Sequence, residues 1–157
     1  MTEVLYTPRL VLVPVVAATA RAVVAGDASA VRAGAGWPGD DTVEGLRAAL
    51  EYGGTFGWFV TLDGVVIGDC GTHGGPDDGG DLEIGYAIAG PYRRRGYATE
   101  VVAALADWAA RQPGVRRVVA RRVLPDNHGS RRALERGGFV VDEAGSGEVG
   151  YALSLIR

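Results

Sequence analysis

Lysine is absent from this chain of 157 residues, so every one of its 16 fixed cations is an arginine. A single cysteine, Cys70, excludes an internal disulfide, and its apolar, Gly-flanked strand context reads as a small buried side chain. Only two histidines are present, and neither sits at metal-ligand spacing, so no metal is expected. No apolar run reaches the roughly 20 residues that cross a bilayer. The opening stretch MTEVLYTPRLVLVPV has neither the basic start nor the apolar centre of a signal peptide. These absences predict one domain over 1–157, placed in the cytoplasm, with no membrane partner. A net charge of only −3 argues against a general nucleic-acid binder.

What is present is a real core and an uneven charge. Hydrophobic residues make up 47% of the chain, enough to bury a single core. Residues 1–90 hold 4 arginines against 12 acidic residues, whereas 91–157 hold 12 against 7. The layout suits an anionic ligand on the second half and a cationic one drawn to the first, although solvated faces that happen to segregate would give the same counts.

Alternation and turn chemistry predict strands at 9–15, 57–62, 65–72, 81–88, 115–123, 139–141 and 148–156. Helical spacing predicts helices at 17–25, 42–52, 96–111 and 127–136. Asp63-Gly64 between two apolar runs is a strong hairpin signal, and Gly137-Gly138 closes the last helix. The expected fold is α+β, a single mixed and mainly antiparallel sheet of about seven strands flanked by about four helices.

The segment GPYRRRGYATE, residues 90–100, places three arginines at the mouth of a helix. The helix dipole already presents positive potential there, so the arrangement suits an anion. Gly96 allows close approach of the backbone, and small Ala98 keeps the first turn open. The turn is not a P-loop, since no Gly-Lys-Ser/Thr follows, and one glycine does not make a dinucleotide fingerprint. Three surface arginines without a ligand would read the same way.

The sequence resembles the GCN5-related N-acetyltransferase (GNAT) superfamily. Its Arg/Gln-x-x-Gly-x-Gly/Ala signature stands here as Arg93-Arg94-Arg95-Gly96-Tyr97-Ala98, LEIGYAIAGPYRRRGYATEVVAALADWA looks like the acetyl-CoA-binding strand and helix, and NHGSRRALERGGF looks like an Asn-x-x-Ser helix ending in Gly-Phe. The opening TPRLVLVPV is similar to that of the ribosomal-protein N-terminal (Rim-type) branch. The resemblance spans nearly the whole chain. It implies an acetyl-CoA-dependent N-acetyltransferase without a metal, with strands 81–88 and 115–123, the fourth and fifth, splayed around the thioester.

Carried onto this chain, the resemblance implies a pyrophosphate cradled by N–H groups of Arg94, Arg95, Gly96, Tyr97, Ala98 and Thr99, with Arg93 adding charge. The pantetheine would pair with the strand edge at Ala87, Ile88 and Ala89, and the N–H near Ile88 would hold the carbonyl oxygen. Asn127 would bind the pantetheine, although Asn in PDNHGS is also a natural helix cap. Glu83 is the candidate base acting through water, with His73 and Asp81 as alternatives; a strand Glu of this kind equally serves as a salt-bridge residue. Many members carry a tyrosine four residues before the Gly-Phe glycine, where this chain has Leu134. Ser130 therefore becomes the candidate proton donor, unless it only satisfies local backbone.

Acceptor choice would lie in the acidic loops AGAGWPGDDTVEG and HGGPDDGGD, with Trp37 as an aromatic wall or a packing residue and His73 beside the substrate. A cationic primary amine is expected: a protein N-terminus, a polyamine or an aminoglycoside. A noncatalytic acyl-CoA sensor and a regulatory domain for another phosphate ligand remain alternatives, and the chain is a monomer or homodimer.

Overall fold

The structure, a computed structural model, describes residues 3–53, 56–145 and 147–155. Among these residues, eight strands form one sheet in the order β1-β2-β3-β4-β5-β6-β8-β7. They are β1 (Leu5–Tyr6), β2 (Val11–Pro14), β3 (Trp58–Leu62), β4 (Val65–Thr72), β5 (Asp81–Ile88), β6 (Arg117–Val123), β7 (Val140–Gly145) and β8 (Glu148–Ser154). The helices are α1 (Ala17–Val24), α2 (Asp40–Tyr52), α3 (Tyr97–Ala110) and α4 (His128–Arg136). The expected mixed sheet and four helices are present. The extra strand is β1, a two-residue pairing of Leu5 and Tyr6 with Leu12 and Val11, too short to leave an alternation signal. The expected last strand reached Ile156, which lies outside the described residues.

Every neighbouring pair is antiparallel except β5 with β6. The Asp63-Gly64 hairpin forms as anticipated, both residues having left-handed φ of 50° and 81°, which matches the twist of β3 and β4. Two hydrophobic layers sandwich the sheet. Leu82, Ile84 and Ile88 of β5 pack with Val101, Val102 and Leu105 of α3 and with Leu134 of α4 on one face. Trp37, Leu46, Phe59, Val66 and Ala89 join α1 and α2 on the other. Leu134 is fully enclosed, as its apolar side chain on the inner stripe of α4 requires.

The feature that shapes the site is the brevity of the β5–β6 pair. Only Asp81, Leu82 and Glu83 pair with Arg117, Val118 and Val119. Beyond that the strands diverge. Arg122 adopts a left-handed φ of 61°, and the β6–β8 register shifts between Ala120 and Val123, so β6 bends away with β8. An opening results between the second halves of β5 and β6, as expected for splayed strands.

Candidate active site

Strand alternation decides which backbone groups face the opening. Ala89 N–H donates to Ile67 O (2.8 Å), and His73 N–H donates to Glu83 O (2.9 Å). The odd-numbered residues of β5 therefore bond to β4, and Tyr86 and Ile88 turn their backbone outward. This narrows the expected edge at Ala87, Ile88 and Ala89: Ile88 faces the opening, whereas Ala87 pairs with Asp69 of β4, and Ala89 donates to β4 and accepts from Tyr92 N–H (2.9 Å). The Ile88 carbonyl is itself taken by Arg93 Nε (2.7 Å). Its N–H has no hydrogen-bond acceptor among the described residues.

At the C-terminal end of β5 a single 3₁₀ turn, Gly90–Tyr92, leads into the arginine segment. Arg93 folds back on the strand, and Arg94 takes a left-handed φ of 65°. Gly96 caps α3 at φ 84°. Among the described residues, no backbone hydrogen bond is donated by Arg94, Arg95 or Gly96, and Tyr97, Ala98 and Thr99 fall in the first helical turn, whose N–H groups have no intrahelical acceptor. The turn is thus a concave set of free donors with exposed Arg94 and Arg95 beside it. Its shape is fixed from β2's side by Arg9. That guanidinium donates to Arg95 O (2.8 Å), pairs with Glu100, and lies 4.4 Å from the centre of the Tyr97 ring. Burial works to raise the Glu100 pKa, but hydrogen bonds from Thr7 and Arg9 outweigh it and hold the carboxyl below its ordinary value. Sequence reasoning missed Arg9 and Glu100, because their contact joins residues 91 apart.

On the α3/α4 face of the opening, Asn127 caps α4, its Oδ1 accepting from Ser130 N–H (3.2 Å). The capping reading holds, and the Asn127 side-chain amide nitrogen has no hydrogen bond among the described residues. Ser130 Oγ lies 2.7 Å from the Tyr86 hydroxyl. Burial pushes the Tyr86 pKa up to about 12, so the phenol keeps its proton.

On the opposite face, Asp69, Gly71 and His73 of the β4 side stand beside Glu83, Gly85 and Ala87 of β5. A Cβ on Gly85 would lie only 2.7 Å from His73 Nε2, so the imidazole rests directly over that glycine. Asp81 is held by Arg117 (2.8 Å) and Arg121 (3.2 Å), and the Arg117 hydrogen bonds keep its pKa low. Glu83 Oε1 lies 3.7 Å from Arg121 Nη1. Asp81 and Glu83 are therefore ion-paired, whereas His73 has no ion pair among the described residues.

Two residues beyond Gly85, Ala87 opens into a cleft of about 310 Å³ lined by Trp37, Asp40, Asp41, Thr42 and Arg93. Trp37 lines it but is only 6% exposed. Its ring packs edge-on against Phe59 and its Nε1 donates to Asp69 (3.0 Å), so packing dominates its role as a wall. Thr42 Oγ1 also donates to Asp69. Asp69 was not anticipated, although a charged residue inside VVIGDCGT was a visible signal. Burial raises its pKa, with Asp41 adding to the effect, against the hydrogen bonds from Thr42 and Trp37.

A test of stability follows from that direction. A carboxyl whose folded pKa is raised contributes stability below its unfolded pKa of about 3.9 and loses it as pH rises through the folded value. Asp69→Asn keeps an acceptor for Trp37 and removes this loss. Thermal melts at pH 4 and pH 7 should show the variant gaining on the wild type between them; a variant that loses ground would overturn the reading.

The Acetyltransferase (GNAT) domain family matches residues 9–140. The uncharacterized N-acetyltransferase YjdG of Bacillus subtilis (strain 168) is 33% identical over 115 residues, covering 68% of this chain and 68% of its own length. The crystal structure of the acetyltransferase from Agrobacterium tumefaciens str. C58 superposes with a TM-score of 0.65 at 27% identity, over 98% of this chain and 95% of that one. Mycobacterium smegmatis RimJ in complex with CoA-disulfide has a TM-score of 0.66 at 22% identity, over 97% and 86%, which makes the Rim-type likeness one of fold. Free donors at the α3 turn and an unpaired strand edge beside it match the phosphates and amides of acetyl-CoA, and with the family match this places the chain in the GNAT family as an acetyl-CoA-dependent acetyltransferase.

Proposed function

We propose that the protein acetylates a cationic primary amine by direct attack within a ternary complex. The observation that carries the reading is the placement of two opposite electrostatic environments on either side of one strand opening. An arginine-rich turn of free N–H groups lies at one end of β5, and a cleft in which Asp40 and Asp41 outnumber Arg93 lies beside Ala87 on the other face. The first suits the phosphates of acetyl-CoA, and the second suits a positively charged acceptor.

Bound there, acetyl-CoA supplies an activated acetyl group as a thioester. The N–H groups of Arg94 to Thr99 hold the pyrophosphate, while the outward backbone of Tyr86 pairs with the pantetheine as an added strand would. The Asn127 side-chain nitrogen is free to donate to the same arm. As negative charge develops on the carbonyl oxygen, Ile88 N–H is the donor aimed into the opening. His73 takes the proton of the incoming amine, because Asp81 and Glu83 are both committed to arginines while its imidazole rests over Gly85, two residues before Ala87 on the same strand. Ser130 donates a hydrogen bond to the departing sulfur. The C–N bond forms as the C–S bond breaks, sulfur leaves with the electron pair, and the proton shed by nitrogen finally neutralises it.

The test is release of free thiol from acetyl-CoA with polyamines, aminoglycosides and short peptides with free N-termini assayed side by side. At least one cationic acceptor should turn over, with a KM that rises with salt as screening weakens long-range attraction. Tight acetyl-CoA binding with no thiol release on any amine would replace the reading with an acyl-CoA sensor. Turnover confined to uncharged acceptors would remove the acidic cleft from it.

A further inference from the structure

Leu134 occupies the α4 position where many family members carry a hydroxyl, yet a phenol does enter the site from elsewhere in the chain. Tyr86 comes from β5, on the opposite side of the opening from α4, and its hydroxyl lies 2.7 Å from Ser130 Oγ. Its other oxygen neighbour is Ser130 O at 3.4 Å, a much longer contact. A nearby phenol, that of Tyr151, is already committed: it accepts from Arg131 Nε (3.0 Å) and donates to Glu135 (3.2 Å). Tyr86 and Ser130 are therefore a closed pair of hydroxyls that ties the strand to the helix.

The direction of the bond follows from acidity. Either oxygen can donate across this contact, and the greater acidity of a phenol favours the arrangement in which the Tyr86 O–H points at Ser130 Oγ. The Ser130 oxygen is then occupied as an acceptor, and its own hydrogen must turn away from Tyr86. We propose that Tyr86 is a positioning residue for acetyl transfer, holding the Ser130 hydroxyl in the rotamer that donates to the departing sulfur. The inference rests on the assignment of Ser130 given above. No proton needs to leave Tyr86: the sulfur keeps the electron pair of the broken C–S bond, Ser130 O–H stabilises it by hydrogen bonding, and Tyr86 strengthens that donor by polarising it. The high Tyr86 pKa fits this passive role, since the phenol stays protonated wherever the enzyme works.

A double-mutant cycle separates this role from simple packing. Tyr86→Phe keeps the ring and removes only the hydroxyl; Ser130→Ala removes the donor. Turnover rate, acetyl-CoA Kd by calorimetry and melting temperature are measured for both single variants and the double. Ser130→Ala should lower kcat about tenfold or more, the scale of one hydrogen bond to a charged group, with acetyl-CoA Kd nearly unchanged. Tyr86→Phe should lower kcat several-fold, again without loss of acetyl-CoA affinity. In the Ser130→Ala background, Tyr86→Phe should have no further effect on kcat. If the two factors multiply instead, Tyr86 acts independently of Ser130 and the inference is wrong. Full kcat in Tyr86→Phe, with Ser130→Ala impaired, overturns the inference alone. Full kcat in Ser130→Ala overturns the donor assignment and the inference with it.

Discussion

Gly96→Val should weaken acetyl-CoA binding by about 100-fold or more, the scale of losing one or two charge-assisted hydrogen bonds. Gly96 sits at φ 84°, at the centre of the donor turn, and a Cβ there would lie 3.1 Å from Arg9 Nη2. Valine would therefore disturb the guanidinium that holds Arg95 O and would project into the space where a phosphate must approach. The left-handed backbone adds a folding cost of roughly 1–2 kcal/mol for a residue with a side chain. Affinity must be read by calorimetry well below the melting point of the variant. Unchanged affinity in a folded protein would remove the turn from cofactor binding.

Of the candidate bases, His73 should give the larger effect. His73→Gln should lower kcat/KM by roughly 10²- to 10⁴-fold near pH 7, the usual scale of general-base catalysis. The deficit should shrink toward pH 9, because a larger fraction of the acceptor then arrives as free amine. Glu83→Gln should give a profile parallel to that of the wild type, since it releases Arg121 without touching proton transfer. Asp81→Asn should act on stability through loss of its Arg117 and Arg121 pairs. If Glu83→Gln shows the pH-dependent deficit and His73→Gln does not, the assignment reverses.

The elements that sequence made legible were those with a local signature. The Asp63-Gly64 turn, the Asn127 cap and the Gly96 start of α3 each depend on residues within one turn of each other. The Arg93–Thr99 segment was readable for the same reason. What escaped was contact across the sheet. Nothing within TPRL shows that Arg9 reaches Arg95, and nothing in LEIGYAI shows that Tyr86 meets Ser130, 44 residues away. The open edge was placed on the right stretch of strand, with Ile88 on it but Ala87 and Ala89 turned toward β4, because the phase of alternation is set by the register against β4, which the sequence does not display. Three candidate bases were nameable from sequence, but ranking them needed the arginine partners of Asp81 and Glu83, and those stand on β6.

Three residue pairs join β5 to β6, whereas five join β4 to β5. The sheet is accordingly two leaves meeting at a narrow seam, with the Asp81–Arg117 pair at its outer end. Within the leaves every strand but the short β1 is paired over more residues than the seam, so an opening along the seam breaks few ladder bonds. A ligand whose amides fill the gap supplies ladder bonds that the chain does not encode, and acts there as a missing strand. Ligand occupancy and seam integrity are thus thermodynamically linked: at 100 times its Kd, a ligand that binds only the folded form adds about 2.7 kcal/mol to stability. The increment protects every amide whose exchange requires an opening that releases the ligand, so exchange at the seam amides should report occupancy without any turnover at all.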